Sequence, residues 1–198
     1  MSRPQQFDRD DVLERALLVF WRQGLDSASI QDLVDATGLN RGSLYNTFGD
    51  KATLFAAVME RYRANSPATP LFVAAQDADS TVNVRTLIIE FFDALVQRAL
   101  DDGDHKGCLL TNTAAGMYGC TEAMSDWVRE TLAGLEETLT LLIKRGQKRG
   151  DITAGAKPSA IARSLVASAQ GLNIMARTGA SPQMLKDIAA MAVRVLDK

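Results

Sequence analysis

Histidine is almost absent from this chain, with His105 alone among 198 residues. A di-iron helical bundle needs Glu-x-x-His pairs, so that chemistry is excluded. Cysteine is scarce as well. Cys108 and Cys120 do not make a disulfide framework, and with His105 they match no zinc spacing and lack a fourth ligand. No metal and no cofactor are expected. A phosphate loop and a nucleophile–base–orienter set are also missing, so no enzyme activity is expected. No apolar run reaches membrane-spanning length, and no basic-then-apolar leader opens the sequence. A cytoplasmic location without a membrane partner is the expectation. Only five prolines occur, and Ala, Leu, Glu, Arg, Lys and Met abound, which favours an all-α chain. Finally, there is no surplus of cations. The net charge is −2, and through Tyr62 seven cations face nine anions. Any contact with nucleic acid must therefore come from a few placed groups rather than from bulk charge.

Apolar residues make up 46% of the chain, so a packed core is expected, in one large domain or two small ones. The most informative segment is 29–55, SIQDLVDATGLNRGSLYNTFGDKATLF. Ile30, Leu33 and Val34 fall on one side of a helix that Ser29 caps. Gly38 sits where the chain must reverse and takes positive φ without steric penalty. Asn40 then caps a second helix, with Leu44 and Phe48 pointing inward at i, i+4. Arg41, Gly42, Ser43, Asn46 and Thr47 are left facing out. Such a face suits a DNA major groove; a helical hairpin in any all-α protein has the same periodicity. On the DNA reading, Arg41 and Lys51 hold phosphates and Ser29 donates from the start of its helix. Ser43, Asn46 and Thr47 reach base edges, and Gly42 lets the backbone come close.

The wider stretch 7–62 resembles the DNA-binding domain of the TetR/AcrR family of bacterial transcriptional regulators. The resemblance is carried by Phe20 and Gly24, Ser29 through Leu33, and Thr37-Gly38-Leu39. It continues in Gly42-Ser43-Leu44-Tyr45, Phe48-Gly49-Asp50-Lys51 and Leu54-Phe55. It implies a homodimeric repressor on a near-palindromic double-stranded operator, released by a small-molecule effector. It also implies that Tyr45 packs near the phosphates and donates its hydroxyl. Thr47 departs from the histidine or tyrosine often found there, so the operator sequence does not carry over.

The expected fold is all-α. Residues 1–62 form a three-helix helix-turn-helix domain, 63–80 a connection rich in Pro, Asp and small residues, and 81–198 a larger ligand-binding and dimerisation domain. The first helix is expected over 8–23 with Val12, Ala16, Val19 and Phe20 buried, ending at Gly24. Asp50 caps the helix that leads out of the DNA-binding domain. Later helices are expected from Ser80 or Thr81 to about 100, over 107–115, over 121–149 with a bend near Gly134, from Pro158 to Gly179, and from Pro182, capped by Ser181, to 196.

Three further sets stand out in that second region. Phe91, Phe92, Leu95, Met117, Tyr118, Met124, Trp127 and Met175 are aromatics and methionines of the kind that line adaptable apolar cavities, and equally of the kind that fill an ordinary core. Thr111, Asn112 and Asn173 are their candidate polar anchors, and the scarcity of charge suggests a mostly uncharged ligand. Cys108 lies in Lys106-Gly107-Cys108-Leu109-Leu110-Thr111-Asn112, which resembles a motif in a TetR branch where some members sense electrophiles or oxidants with a cysteine. A thiol near a helix start, beside Lys106 and His105, favours thiolate; a buried inert thiol is the other reading, for Cys108 as for Cys120. Ile161, Leu165, Ala169 and Leu172 form one apolar stripe, and Ile188, Ala192, Val193 and Leu196 another. The resemblance pairs these two helices with their copies in a four-helix dimer interface; alternatively they bury only their own core. A helical scaffold that binds protein is the rival from another class.

Overall fold

The computed structural model describes residues 7–116 and 122–197. Among them are ten α-helices, a terminal 3-10 turn (Arg194–Leu196) and no strand. The chain divides into two compact units, Met1–Ser66 and Pro67–Lys198.

The first unit holds α1 (Arg9–Ser27), α2 (Ile30–Thr37), α3 (Arg41–Phe48) and α4 (Lys51–Ala64). Each start is set by a short polar side chain that accepts from an orphan backbone N–H. Asp8 serves α1, Ser29 serves α2, Asn40 serves α3 and Asp50 serves α4. Gly24 breaks α1 with φ 78°, so its regular part ends where the glycine was expected to stop it. Gly38 takes φ 72° between α2 and α3, a left-handed conformation that a β-carbon would strain. The buried side of α1 is Val12, Leu13, Ala16, Leu17 and Phe20. Val19, expected in that stripe, is only half-buried. The core lies between α1 and both α2 and α4, so the stripe is wider and rotated toward Leu13 and Leu17. Phe20 and Phe55 meet edge to face at 4.9 Å and 89°, the arrangement that aromatic quadrupoles favour.

The second unit holds α5 (Thr69–Gln76), α6 (Val84–Asp101), α7 (Leu109–Ala115), α8 (Glu122–Arg149), α9 (Pro158–Arg177) and α10 (Pro182–Val193). Its core is built from Leu71, Ile88, Phe92, Leu139, Ile143, Leu165, Leu172 and Leu185 and their neighbours. Helix α5 stands inside the segment expected to be a bare connection. Pro70 falls in its first turn, where its missing N–H costs nothing. The far end of α5 is held by Arg145, which donates to the carbonyls of Ala74 and Asp77, each at 3.1 Å. Helix α6 starts three or four residues later than expected, because Asn83 rather than Ser80 or Thr81 caps it. Helix α8 continues without a break past Gly134. Gly146 on α8 is required by packing: a β-carbon there would come within 2.9 Å of Ile152 and 3.1 Å of Val84.

Candidate nucleic-acid interface

Helix α3 presents the predicted outward face. Leu44 and Phe48 are buried, whereas Arg41, Gly42, Tyr45 and Asn46 are exposed and Ser43 and Thr47 half-exposed. The helix is only eight residues long, too short to hold together by propensity alone. It is fixed by its cap, the Ser43 amide donating to Asn40 Oδ1 at 2.8 Å, and by its two buried side chains. The Arg41 guanidinium carbon lies 5.6 Å from the Tyr45 ring centroid, a cation–π contact that pre-orders both side chains at the solvent edge. A β-carbon on Gly42 would meet only Asn40 Oδ1, at 3.4 Å, an ordinary contact distance.

Not every predicted contact is free to reach out. The Thr47 hydroxyl donates to the Ser43 carbonyl at 2.8 Å, so toward a base it offers lone pairs rather than a proton. The Ser29 hydroxyl donates to Asp32 Oδ2 at 2.6 Å while accepting from the Asp32 amide at 3.1 Å, and the Ser29 amide donates to the same carboxylate at 2.9 Å. Ser29 is thus a capping-box member whose proton is committed within α2. The expectation that Ser29 donates from the start of α2 thus meets a serine whose hydroxyl and amide protons are both held by Asp32. The Lys51 ammonium donates to the carbonyls of Ala28 at 3.0 Å and Asp26 at 3.4 Å, so it braces the entry to α2 rather than projecting outward.

The electrostatics follow the caps. Hydrogen bonds from the Ser29 hydroxyl and then its amide hold the Asp32 carboxyl below its ordinary value. The amide and then the hydroxyl of Thr53 do the same for Asp50. Arg61 on α4 reaches α1 through Glu14 at 3.2 Å and Asp10 at 3.3 Å, and the Glu14 hydrogen bond leads in raising its pKa. Sequence reasoning missed both Lys51's brace and this Arg61 bridge. They join residues 23 to 51 positions apart, beyond any local pattern.

In the second unit the predicted effector set is dispersed among core and surface. Phe91, Phe92 and Leu95 are core residues of α6; Met124 is buried near the start of α8; Trp127 and Met175 are half-buried. The polar anchors already have partners. Thr111 donates to Gln170 Oε1 at 2.6 Å, Asn112 to the Lys106 carbonyl at 2.7 Å, and Asn173 accepts from Arg98 at 3.3 Å. Cys108 is buried at the start of α7. The Lys106 ammonium, two residues before it, pairs with Asp102 at 2.5 Å and Asp104 at 3.6 Å. Met117, Tyr118 and Cys120 lie outside the described residues. Among the described residues no cluster of three or more His, Cys, Asp or Glu side chains is placed to hold a metal, and no helix is long and apolar enough to cross a membrane.

The dimer stripes need correction. Ile161, Leu165, Ala169, Leu172 and Leu196 are buried in their own subunit's core, so they have no surface left for a partner. Ile188, Ala192 and Val193 are half-buried against that core. The exposed side of α9 carries instead Ala160, Ser164, Ala167, Gly171 and Ile174, and that of α10 carries Met184 and Met191.

A short capped helix, projected by a tight glycine turn from a three-helix core and followed by an all-α second unit, defines a helix-turn-helix regulator. Comparison with known proteins fixes the family. Residues 12–58 match the description "Bacterial regulatory proteins, tetR family". Residues 85–192 match "Tetracyclin repressor-like, C-terminal domain". The chain is 30% identical over 197 residues to the HTH-type transcriptional repressor ComR of Escherichia coli K12, covering 98% of this chain and 91% of that one. It is 27% identical to the uncharacterized HTH-type transcriptional regulator YezE of Bacillus subtilis 168 over the full length of both. Among solved structures, a cysteine-substituted form of the TetR family regulator CifR complexed with 26-bp operator DNA superposes with a TM-score of 0.81. It is 26% identical and covers 97% of this chain and 98% of that one. The reduced form of E. coli NemR shares the fold, with a TM-score of 0.79 at 22% identity over 93% of this chain and 94% of that one. The chain belongs to the TetR family of DNA-binding transcriptional regulators, which are not enzymes.

Proposed function

We propose that this regulator is a homodimeric repressor that inserts α3 into successive major grooves of a near-palindromic operator and is released by a small, mostly uncharged effector. The observation that carries the reading is the α3 surface, where Arg41, Tyr45 and Asn46 stand exposed on a helix whose other side is locked by Leu44 and Phe48. CifR, similar over nearly the whole chain, binds operator DNA, and ComR is a repressor. Arg41 and Tyr45 serve the phosphates, and Ser43, Asn46 and Thr47 the base edges, with Gly42 permitting close approach. Lys51 and Ser29 support that surface from behind.

The dimer forms through the exposed sides of α9 and α10. The small residues Ala160, Ser164, Ala167 and Gly171 let partner helices approach closely, and Ile174, Met184 and Met191 supply apolar area. Two half-sites then fall on one DNA face, about 34–36 Å or a multiple apart. Thr111, Asn112 and Asn173 exchange their present hydrogen bonds for those of an effector among α6, α7 and α9. A coupling of about 1–3 kcal/mol between effector and operator is enough for release. The cysteine-switch reading is not favoured, because the Cys108 thiol is buried and the neighbouring lysine is paired with Asp102.

A gel-shift titration against the DNA upstream of the protein's own gene and its neighbours tests the reading. A saturable complex that competitor DNA does not displace supports it, and binding indistinguishable from that to random duplex contradicts it.

A further inference from the structure

A cleft of about 530 Å³ opens between α6 and α10, within the usual range for small-ligand sites. The two helices run antiparallel: Arg85 at the start of α6 pairs with Asp197, just past α10, at 2.7 Å. The apolar floor comes from Ile89, Phe92 and Val96 on α6 and Val193 on α10. Lys186 and Ala190 on α10 and Arg194 just past its end border the cleft at four-residue spacing, so two cations stand on one strip about 12 Å apart with the Ala190 methyl between them.

The charges do not cancel. Arg85, Lys186 and Arg194 face Asp93 and Asp197. The Arg85–Asp197 pair is satisfied. Neither Lys186 nor Arg194 meets a carboxylate among the described residues, and the hydrogen bond of Arg194 goes to the Met191 sulfur at 3.8 Å. The cleft is therefore a cation-edged trough with an apolar bottom and one unit of surplus positive charge.

We infer that this trough binds a small amphipathic carboxylate, its apolar body on Ile89, Val96 and Val193 and its carboxylate on Arg194. A neutral apolar molecule leaves the cations without gain. A compact inorganic anion leaves the floor wet. A monocarboxylate satisfies both, and a guanidinium fork matches its geometry. The trough shares Phe92 with the candidate effector set, but none of Thr111, Asn112 and Asn173, the polar anchors of the effector proposed above, borders it. On α10 the trough adjoins the proposed dimer face: Met184 lies roughly a third of a turn from the Lys186–Ala190–Arg194 strip, and Arg194 reaches the sulfur of Met191. The inference does not depend on the DNA reading.

Calorimetric titration of the full chain with octanoate and with octanol tests it. Octanoate binds the wild type. Ala190→Trp, at an exposed position, fills the trough and abolishes that binding. Arg194→Gln weakens octanoate about tenfold, corresponding to 1.4 kcal/mol, and leaves the weaker octanol binding unchanged. Asp93→Lys tightens octanoate several-fold, a gain that misfolding cannot produce. The inference is overturned by octanoate binding that survives Ala190→Trp, by an equal effect of Arg194→Gln on octanol, by no tightening in Asp93→Lys, or by no binding at millimolar octanoate.

Discussion

The Lys51 ammonium lies 3.0 Å from the carbonyl oxygen of Ala28. Lys51 is the first residue of α4, where the helix dipole disfavours a cation. The side chain escapes that field by folding back onto the link between α1 and α2, where carbonyls await a donor. This contact ties the first turn of α4 to the base of the DNA-reading pair. Lys51→Met is therefore expected to weaken operator binding without changing its salt dependence. A lost phosphate contact would lower the slope of log K against log salt by about 0.9. Titrations at four or five salt concentrations for wild type and variant separate the two roles.

How much of this was legible in the sequence depends on the reach of each interaction. Ser29, Asn40, Asp50 and Ser181 were readable as caps because a cap acts within three residues. Gly24 and Gly38 were readable because the turn needs their conformation. The helix at Thr69–Gln76 was missed because its stabilising contact, Arg145 to Ala74 and Asp77, comes from about seventy residues away. The apolar stripe Ile161–Leu172 was found, but periodicity reports only that a face is apolar. Whether its own core or a second copy covers it is a tertiary fact, and here it is the core. The outward face of α3 was legible, yet the Thr47 hydroxyl there and the Ser29 hydroxyl at the start of α2 are engaged by nearby backbone and side-chain partners.

Acid should loosen the first unit through its caps. The folded pKa values of Asp32 and Asp50 lie below the ordinary 3.8. Their stabilisation is then fully present above the unfolded carboxyl value and is lost as pH falls through the folded ones. Thermal melts from pH 7 to 2.5 should show Asp32→Asn less stable than wild type at neutral pH. The difference should shrink below about pH 4. A gap that stays constant over that range would mean that the carboxylate charge contributes nothing to the cap.

The two sides of α9 should respond differently to substitution. Ile174→Glu places a charge on the exposed side and should convert dimer to monomer in light scattering, with the melting temperature of the subunit little changed. Leu165→Ala removes a fully buried side chain and should destabilise the subunit by about 2–5 kcal/mol. If Ile174→Glu and Met191→Glu both leave the oligomeric state untouched, the dimer face lies elsewhere.

Asn40 gives a test of how far α3 depends on its first hydrogen bond. Asn40→Ala removes the acceptor for the Ser43 amide and should cost the first unit about 1 kcal/mol. Asn40→Asp, which restores an acceptor, should recover most of it. Equal losses in the two variants, read from urea unfolding, would locate the effect outside the cap.

Selection of bound duplexes from a random pool, by wild type and by Arg41→Ala and Asn46→Ala, tests the reading surface most directly. The wild type should enrich a two-fold repeat with half-sites one helical turn or a multiple apart. Asn46→Ala should relax the preference at one symmetric pair of positions, at a cost of about 1–3 kcal/mol, and Arg41→Ala should weaken all sequences alike. No enriched sequence, or the same repeat at the same affinity for all three proteins, would contradict the assignment of α3 as the helix that reads DNA.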